Sequence, residues 1–347
     1  FVRRAYLDLV GNIPTAAQTV AFLDDPSPGK RTKLVDDLLA RPEHGKHAAV
    51  VWAKLLVPNT VPVYRNIDHP GLRRWLADGF NANRPWPDVV TDLVTAGGVY
   101  RPKGKPNEKP PATAPELAFV LASNKDGRPQ PYLLAGATAK LFLGVQIECA
   151  QCHNHPFGPW KRAEFWAFAA FFERVRYPRA GKGDDDIAEV IEPATGKRLE
   201  YAEKGRHTVV PAVRPEPEIE IDDDGNVPTG KVVRARFLGG AELPPGTAGP
   251  YRKVLADWMT SPDNPYFARA AVNRLWADLM GRGLVDPVDD LQEDNRPSHP
   301  AALDALAAEF VASGFDRKHV IRCICATKAY RRTSSPAAGN RDAKGLY

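Results

Sequence analysis

The chain has only four cysteines and two methionines in 347 residues, and it has no long apolar run. So few cysteines exclude a disulfide-based scaffold. A membrane-spanning helix needs about 20 consecutive apolar residues, and this stretch has none. No signal-peptide pattern opens the chain. Phe1 falls within a pattern that is already under way, so we expect the native N-terminus to lie upstream.

The chain also lacks a large excess of positive or of negative charge. The 47 Lys and Arg residues are interspersed with 42 Asp and Glu residues, which leaves a formal net charge of +5. The locally basic stretch at residues 101–109 is rich in proline and has no interleaved aromatic residues, so it is interpreted as a solvated loop. The charge distribution therefore argues against a nucleic-acid partner. A nucleophile elbow, a phosphate-binding glycine loop and a zinc-protease helix are missing too.

The apolar residues that are present predict a mainly α protein. Hydrophobic residues make up 43% of the chain, and 33 prolines favour short helices. We predict a multi-helical domain over residues 1–178, a small β-containing insertion over 179–250 and a helical domain over 251–347. Predicted helices cover residues 15–25, 30–40, 44–57, 72–80, 87–95, 115–122, 132–142, 162–175, 269–280, 300–312 and 317–331. Predicted strands cover residues 207–213, 218–221 and 232–237, and a loop is expected over 100–111.

The most specific pattern is Cys149-Ala150-Gln151-Cys152-His153, the C-x-x-C-H spacing of a c-type haem attachment site. Two thiols three positions apart can each add to one vinyl group of the porphyrin. The histidine after the second thiol can offer an imidazole nitrogen to the iron. We therefore predict Cys149 and Cys152 as thioether anchors and His153 as the proximal ligand. The motif follows about 148 residues of chain, so a generic cytochrome c fold is not implied.

The sixth iron ligand is left open. Two residues of chain reach at most about 7 Å, so His155 is assigned to the haem surroundings, where it bonds a propionate or orients the loop. Met259 and Met280 are further options, although Met280 lies on an apolar helix face and is expected in the core. His299 is the candidate distal ligand. An ordinary place at a helix start, with Ser298 as cap, is the favoured interpretation of that histidine, and five-coordinate iron is a further alternative.

Zinc at the same cysteines is the main alternative to haem. Cys149 and Cys152 would form a four-thiolate site with Cys323 and Cys325, or a smaller site with His155 and water. Residues 323 and 325 lie two apart in a predicted helix and so point to different sides. Buried free thiols are therefore the expected state of that pair. No βαβ pattern surrounds the motif, which argues against a thioredoxin-like redox pair.

Two features outside the motif have a functional and a plain structural interpretation. Phe165, Phe168 and Phe172 follow helical spacing and predict a core face, an apolar wall against a porphyrin, or both at once. The run 222–225 (DDDG) is similar to a calcium loop but lacks its bidentate Glu, so a hairpin turn is predicted. A second acidic group is expected to form an internal charge network with arginines instead of binding calcium. Its members are Asp286, Asp289, Asp290, Glu293 and Asp294, and the arginines are Arg274, Arg282 and Arg296.

Several segments carry a family resemblance. Residues 1–15 (FVRRAYLDLVGNIPT) and 142–157 (FLGVQIECAQCHNHPF) resemble a large family of planctomycete proteins with a cytochrome-like domain of unknown function. Residues 273–276 (NRLW), 281–287 (GRGLVDP) and 297–300 (PSHP) resemble the companion C-terminal domain of that family. The resemblance covers nearly the whole chain and implies an exported protein that continues beyond Tyr347. It implies no activity, because the family's function is itself unknown.

The sequence therefore supports two hypotheses from different classes. In the first, the protein is a monohaem c-type protein that exchanges electrons with a redox partner in the periplasm or at the cell surface, since haem c is assembled outside the cytoplasm. A redox enzyme would need an open iron coordination position, so enzymatic activity is neither predicted nor excluded. In the second, it is a structural or interaction protein whose Cys/His cluster binds zinc or braces a loop.

Overall fold

The structure is a computed structural model that describes residues 1–58, 67–100, 114–125, 128–156, 158–180, 188–193, 199–203, 206–210, 214–222 and 228–332. It is mainly α-helical, as predicted. The helices are α1 (Val2–Val10), α2 (Ala16–Asp24), α3 (Lys30–Leu39), α4 (Pro42–Leu56), α5 (His69–Asn81), α6 (Trp86–Thr95), α7 (Leu117–Ala122), α8 (Pro131–Thr138), α9 (Arg162–Ala169), α10 (Tyr251–Met259), α11 (Phe267–Met280), α12 (Pro300–Ala312), α13 (Arg317–Ala326) and α14 (Lys328–Arg331). Within the described ranges, no helix is both long and apolar enough to cross a membrane.

Local signals account for the helices whose bounds were predicted closely. Thr15 starts α2 with a capping box, in which its hydroxyl accepts from the Gln18 amide and its own amide donates to the Gln18 side chain. Pro300 occupies the first turn of α12, where its missing N–H costs nothing. Helix α1 was not predicted, and Phe1 at its N-cap makes no side-chain capping bond that would mark a start.

Three predicted helices are shorter than expected because the backbone changes at their ends. The helix expected over residues 132–142 is α8 followed by a π-turn, Ala139–Leu143. The one expected over 162–175 is α9 followed by a 3-10 turn, Ala170–Phe172. The helix expected over 317–331 is divided into α13 and α14 at Thr327. The backbone of Thr327 is extended, and its hydroxyl caps α14.

The strands form small antiparallel sheets. They are β1 (Gly98–Tyr100), β2 (Asn124–Lys125), β3 (Arg128–Pro129), β4 (Arg176–Ala180), β5 (Ala188–Ile191), β6 (Leu199–Glu203), β7 (Arg206–Val210), β8 (Glu218–Asp222) and β9 (Pro228–Arg234). Pairing is β1-β5-β4, β2-β3, β6-β7 and β8-β9. The prediction that a loop starts at residue 100 is therefore wrong for Tyr100, which ends β1 and pairs with Ala188. Strands β8 and β9 pair as the predicted hairpin requires. Residues 223–225 of its predicted turn, residues 101–111 of the predicted loop and residues 211–213 of the strand predicted over 207–213 lie outside the described residues.

One hydrophobic core runs through both helical regions. Its centre is aromatic, with the rings of Trp52 and Trp86 4.5 Å apart and that of Phe142 6.2 Å from Trp86. Arg317 of α13 enters this cluster, with its guanidinium 4.1 Å from the Phe80 ring centroid and 5.2 Å from that of Trp86. The C-terminal helices therefore complete the core that begins in the N-terminal helices.

Candidate functional site

The two motif cysteines lie on a 3-10 turn at the protein surface. Gly144, in the left-handed region with a φ of 67°, ends the π-turn before the motif. The turn Glu148–Gln151 follows, with Cys152 as its C-terminal cap. Both thiols are free and exposed, whereas Ala150 between them is fully buried. Because a 3-10 helix has three residues per turn, Cys149 and Cys152 lie on the same side of it.

His153 follows on the exposed side with one ring nitrogen engaged. Its Nδ1 lies 2.8 Å from the carbonyl oxygen of Asn154. A carbonyl oxygen only accepts, so this contact places the proton of a neutral imidazole on Nδ1 and the lone pair on Nε2. Hydrogen bonding of one nitrogen to a backbone carbonyl is the usual way in which a metal-ligating histidine is oriented.

Helix α9 anchors the turn. The indole N–H of Trp166 donates to the Gln151 carbonyl at 2.9 Å. The side-chain oxygen of Asn154 accepts from the Arg162 amide at 3.0 Å, in the first turn of the helix. The Trp166 ring also packs edge-on against Tyr132, with centroids 6.2 Å apart. No sequence pattern indicates this role of Trp166, because the residue lies beside the apolar stripe of α9 and not in it.

The apolar stripe itself is core. Phe165, Phe168 and Phe172 are each no more than 1% exposed and belong to the central hydrophobic cluster. The core interpretation of these phenylalanines is therefore confirmed. The partly buried aromatic residue of this helix that contacts the motif is Trp166.

His155 lies in the loop after the motif. Its amide donates to the Trp160 carbonyl at 2.8 Å, which closes the loop, and its imidazole lies beside Gly158. Phe157, in the same loop, lies outside the described residues. The assignment of His155 to the surroundings of a haem stays a prediction.

The candidates for the sixth ligand have different surroundings. His299 is the N-cap residue of α12 and is exposed, with Nδ1 3.2 Å from the Ser298 hydroxyl. The prediction that Ser298 caps this helix is wrong, because its hydroxyl donates to the Leu284 carbonyl at 3.1 Å. Met259 is fully buried, and the Met280 sulfur lies 3.4 Å from an Arg4 nitrogen and packs against the core. His299 stays a prediction as distal ligand.

The other two cysteines point to different sides of α13, as the spacing predicted. Cys323 is half-buried, with its sulfur 3.6 Å from Nε2 of His319, which in turn lies 2.7 Å from a Glu309 oxygen. Cys325 is buried, and desolvation raises the pKa of its thiol to about 12. In the part of the chain that the structure describes, no three or more Cys, His, Asp or Glu side chains are grouped so as to hold a metal ion.

The acidic group makes internal contacts. Asp286 pairs with Arg282 at 3.0 Å, as predicted. Asp289 accepts a 2.6 Å hydrogen bond from the Gln146 side chain and lies 3.8 Å from the Lys140 ammonium group. Asp289 also interacts electrostatically with Arg274, one of the predicted arginines, while its hydrogen bond and its contact with an ammonium group come from the segment before the motif.

Comparison with known families agrees with the resemblance seen in the sequence. The family model of PSCyt2, described as a protein of unknown function (DUF1549), matches residues 1–177. The model of PSD1, described as a protein of unknown function (DUF1553), matches residues 251–345. The chain belongs to the PSCyt2 family, whose match covers half of it, and the predicted pairing with a companion domain is confirmed. No curated protein and no solved structure matches the chain.

Proposed function

We propose that this member of the PSCyt2 family is a c-type haem protein that transfers electrons outside the cytoplasm. One observation carries the proposal: Cys149 and Cys152 are free and exposed on one side of a 3-10 turn, directly before His153. Buried cysteines act as small apolar residues, whereas two exposed thiols with this spacing are suited to covalent attachment.

The residues at the turn fit the group. Each thiol would add its S–H across one vinyl double bond, which gives two thioethers and leaves no by-product. His153 would bind iron through Nε2, because its Nδ1 proton is already donated to the Asn154 carbonyl. Bound haem supplies a reversible one-electron couple at iron. The protein's part is to hold the two anchoring cysteines and the iron-binding histidine in place, which the Trp166 bond to Gln151 supports.

Partner and compartment follow from this proposal. A one-electron carrier needs a second redox protein, and the exposed turn leaves the attachment site accessible to one. Haem c is assembled outside the cytoplasmic membrane, so we propose a periplasmic or cell-surface location. His299 is proposed as the distal ligand. If His299 did not bind the iron, the iron would have the open coordination position that redox catalysis needs.

The test is export of the protein in cells that contain a cytochrome c maturation system. We expect an intact mass increased by one haem and a band that stains for haem on a denaturing gel. The double variant Cys149→Ala with Cys152→Ala should lose both signals. The control Cys323→Ala, which removes the half-buried thiol of α13, should keep both.

An unmodified mass of the wild-type protein under these conditions would overturn the proposal. Zinc measured in the same sample then distinguishes the alternative. About one zinc per chain that disappears with the double cysteine variant would assign the motif to a zinc-binding structural protein.

A further inference from the structure

A short piece of the C-terminal domain, Asp289–Gln292, contacts the chain on both sides of the cysteine turn; we call it the brace segment. Before the turn, the Leu291 amide donates to the Gly144 carbonyl at 2.8 Å. The Asp289 carboxylate accepts from the Gln146 side chain at 2.6 Å. These contacts fall five and three residues before Cys149, so they fix the chain that enters the turn.

After the turn, the brace segment meets the loop that carries His155. The Gln292 side chain lies against Gly158, where an added Cβ would clash with Gln292 Oε1. The Leu291 side chain likewise fills the space beside Gly144, since a Cβ there would lie 2.8 Å from Leu291 Cδ1. Glycine at these two positions is what permits the close approach. The cysteine turn is therefore held at its entrance and at its exit by one segment.

The companion-domain motifs position the brace segment. Asn273, from the NRLW motif on α11, is fully buried. Its side-chain oxygen accepts from the Val285 amide at 2.9 Å, and its nitrogen donates to the carbonyls of Val285 at 2.9 Å and Val288 at 3.1 Å. The Asp290 carboxylate accepts a hydrogen bond from the Asn295 side chain at 3.1 Å, which links the brace segment to the residues that follow it. A buried amide with every bond made is a rigid support.

Asp289 is the charged link in this arrangement. Its side chain is 14% exposed, and Lys140 of the π-turn lies 3.8 Å from its second oxygen. A hydrogen bond to a charged acceptor is stronger than one between neutral groups. Two groups from the segment before the motif thus converge on one carboxylate of the C-terminal domain.

We propose that the companion domain acts on the cysteine turn through the brace segment, with Asp289 and Gln292 as positioning residues that hold Cys149 and Cys152 on a common face. The contacts do not depend on haem. Only the consequence for a bound haem rests on the proposed function: a positioned turn fixes the orientation of His153 to iron and with it the reduction potential.

The experiment compares Asp289→Ala with Asp286→Asn. Asp286 is the matched control, because it lies three residues away, also carries one negative charge and pairs outward with Arg282. The first measurement is amide hydrogen exchange over residues 144–153 in protein without haem. We expect Asp289→Ala to speed exchange in this peptide about tenfold, Asp286→Asn to leave it unchanged, and Asp289→Glu to restore part of the protection.

The second measurement is the reduction midpoint of haem-loaded protein. Asp289→Ala should keep the covalent haem and shift the reduction midpoint by more than Asp286→Asn does. A general loss of stability would not produce this pattern. Gln146→Ala replaces Asp289→Ala if the latter does not fold. Unchanged amide exchange over residues 144–153 in the variant that folds would overturn the proposed role of the brace segment. If Asp289→Ala accelerates exchange but the wild-type protein never acquires haem, the role of the brace segment stands and the haem proposal is rejected.

Discussion

The indole N–H of Trp166 donates a 2.9 Å hydrogen bond to the carbonyl oxygen of Gln151, inside the turn that carries the two exposed thiols. This bond joins the motif to helix α9 across 15 residues of sequence. It satisfies a carbonyl of a 3-10 turn, whose own hydrogen-bond geometry is poorer than that of an α-helix.

Replacement of Trp166 by Phe should therefore loosen the motif. The change removes the donor and keeps an aromatic ring, so we expect the free energy of unfolding to fall by about 1 kcal/mol. Amide exchange over residues 148–153 should accelerate as well. Trp75→Phe, at a partly buried tryptophan of α5, is the control for the smaller ring. Equal exchange in the two variants would contradict a specific role for the bond.

The ion pair between Arg252 and Glu192 should contribute strongly to stability. Both side chains are buried, at 3% and 6% exposure, and lie 2.8 Å apart. The same carboxylate also accepts from the Tyr251 amide at 2.6 Å. Glu192→Gln leaves the buried guanidinium without its counter-charge, so urea unfolding should show a loss of about 3 kcal/mol.

Lys253→Met is the control for that measurement. Lys253 is on the same helix and makes an exposed pair with Asp257. An exposed pair of this kind contributes about 0.3 kcal/mol. Comparable losses in the two variants would show that burial does not set the strength of the Arg252 pair.

Stability should fall on acidification because of His44. This histidine is buried and engages the Leu9 carbonyl through Nδ1 at 2.9 Å, and desolvation lowers its pKa from 6.5 to about 4. A depressed histidine pKa means that folding favours the neutral form. The contribution is therefore complete above pH 6.5 and is lost as the pH falls toward 4, by about 3 kcal/mol in all.

Urea unfolding of the wild type and of His44→Gln between pH 7 and pH 4 measures this contribution. The Gln amide keeps a donor for the Leu9 carbonyl but does not titrate. We expect the stability difference between the two proteins to change across this range, with the wild type losing more. Parallel pH profiles would assign the acid sensitivity to other groups.

The four thiols should differ in reactivity in the native protein. Cys325 is buried, and at pH 8 a thiol with a pKa of about 12 is thiolate in roughly one molecule in ten thousand. Iodoacetamide should therefore modify the exposed Cys149 and Cys152 first and Cys325 only after unfolding. Peptide mass spectrometry follows each site. Native-state labelling of Cys325 at the rate of Cys149 would contradict its burial.

The sequence predicted well those features that depend on neighbouring residues. The bounds of α12 follow from the proline at its first position and the periodicity of its apolar residues. The different sides of Cys323 and Cys325 follow from helical geometry alone. Strand β1 was missed because its partner, β5, lies about 90 residues away, and three residues carry no local strand signal.

By itself, the sequence determined the C-x-x-C-H spacing of Cys149, Cys152 and His153, because that pattern is contained in five consecutive residues. Tertiary structure alone decided the exposure of those thiols. It also decided that Asp289 meets Gln146, 143 residues away. The reason is that such contacts arise only when non-local packing brings distant segments together, and no local propensity encodes which segments will meet.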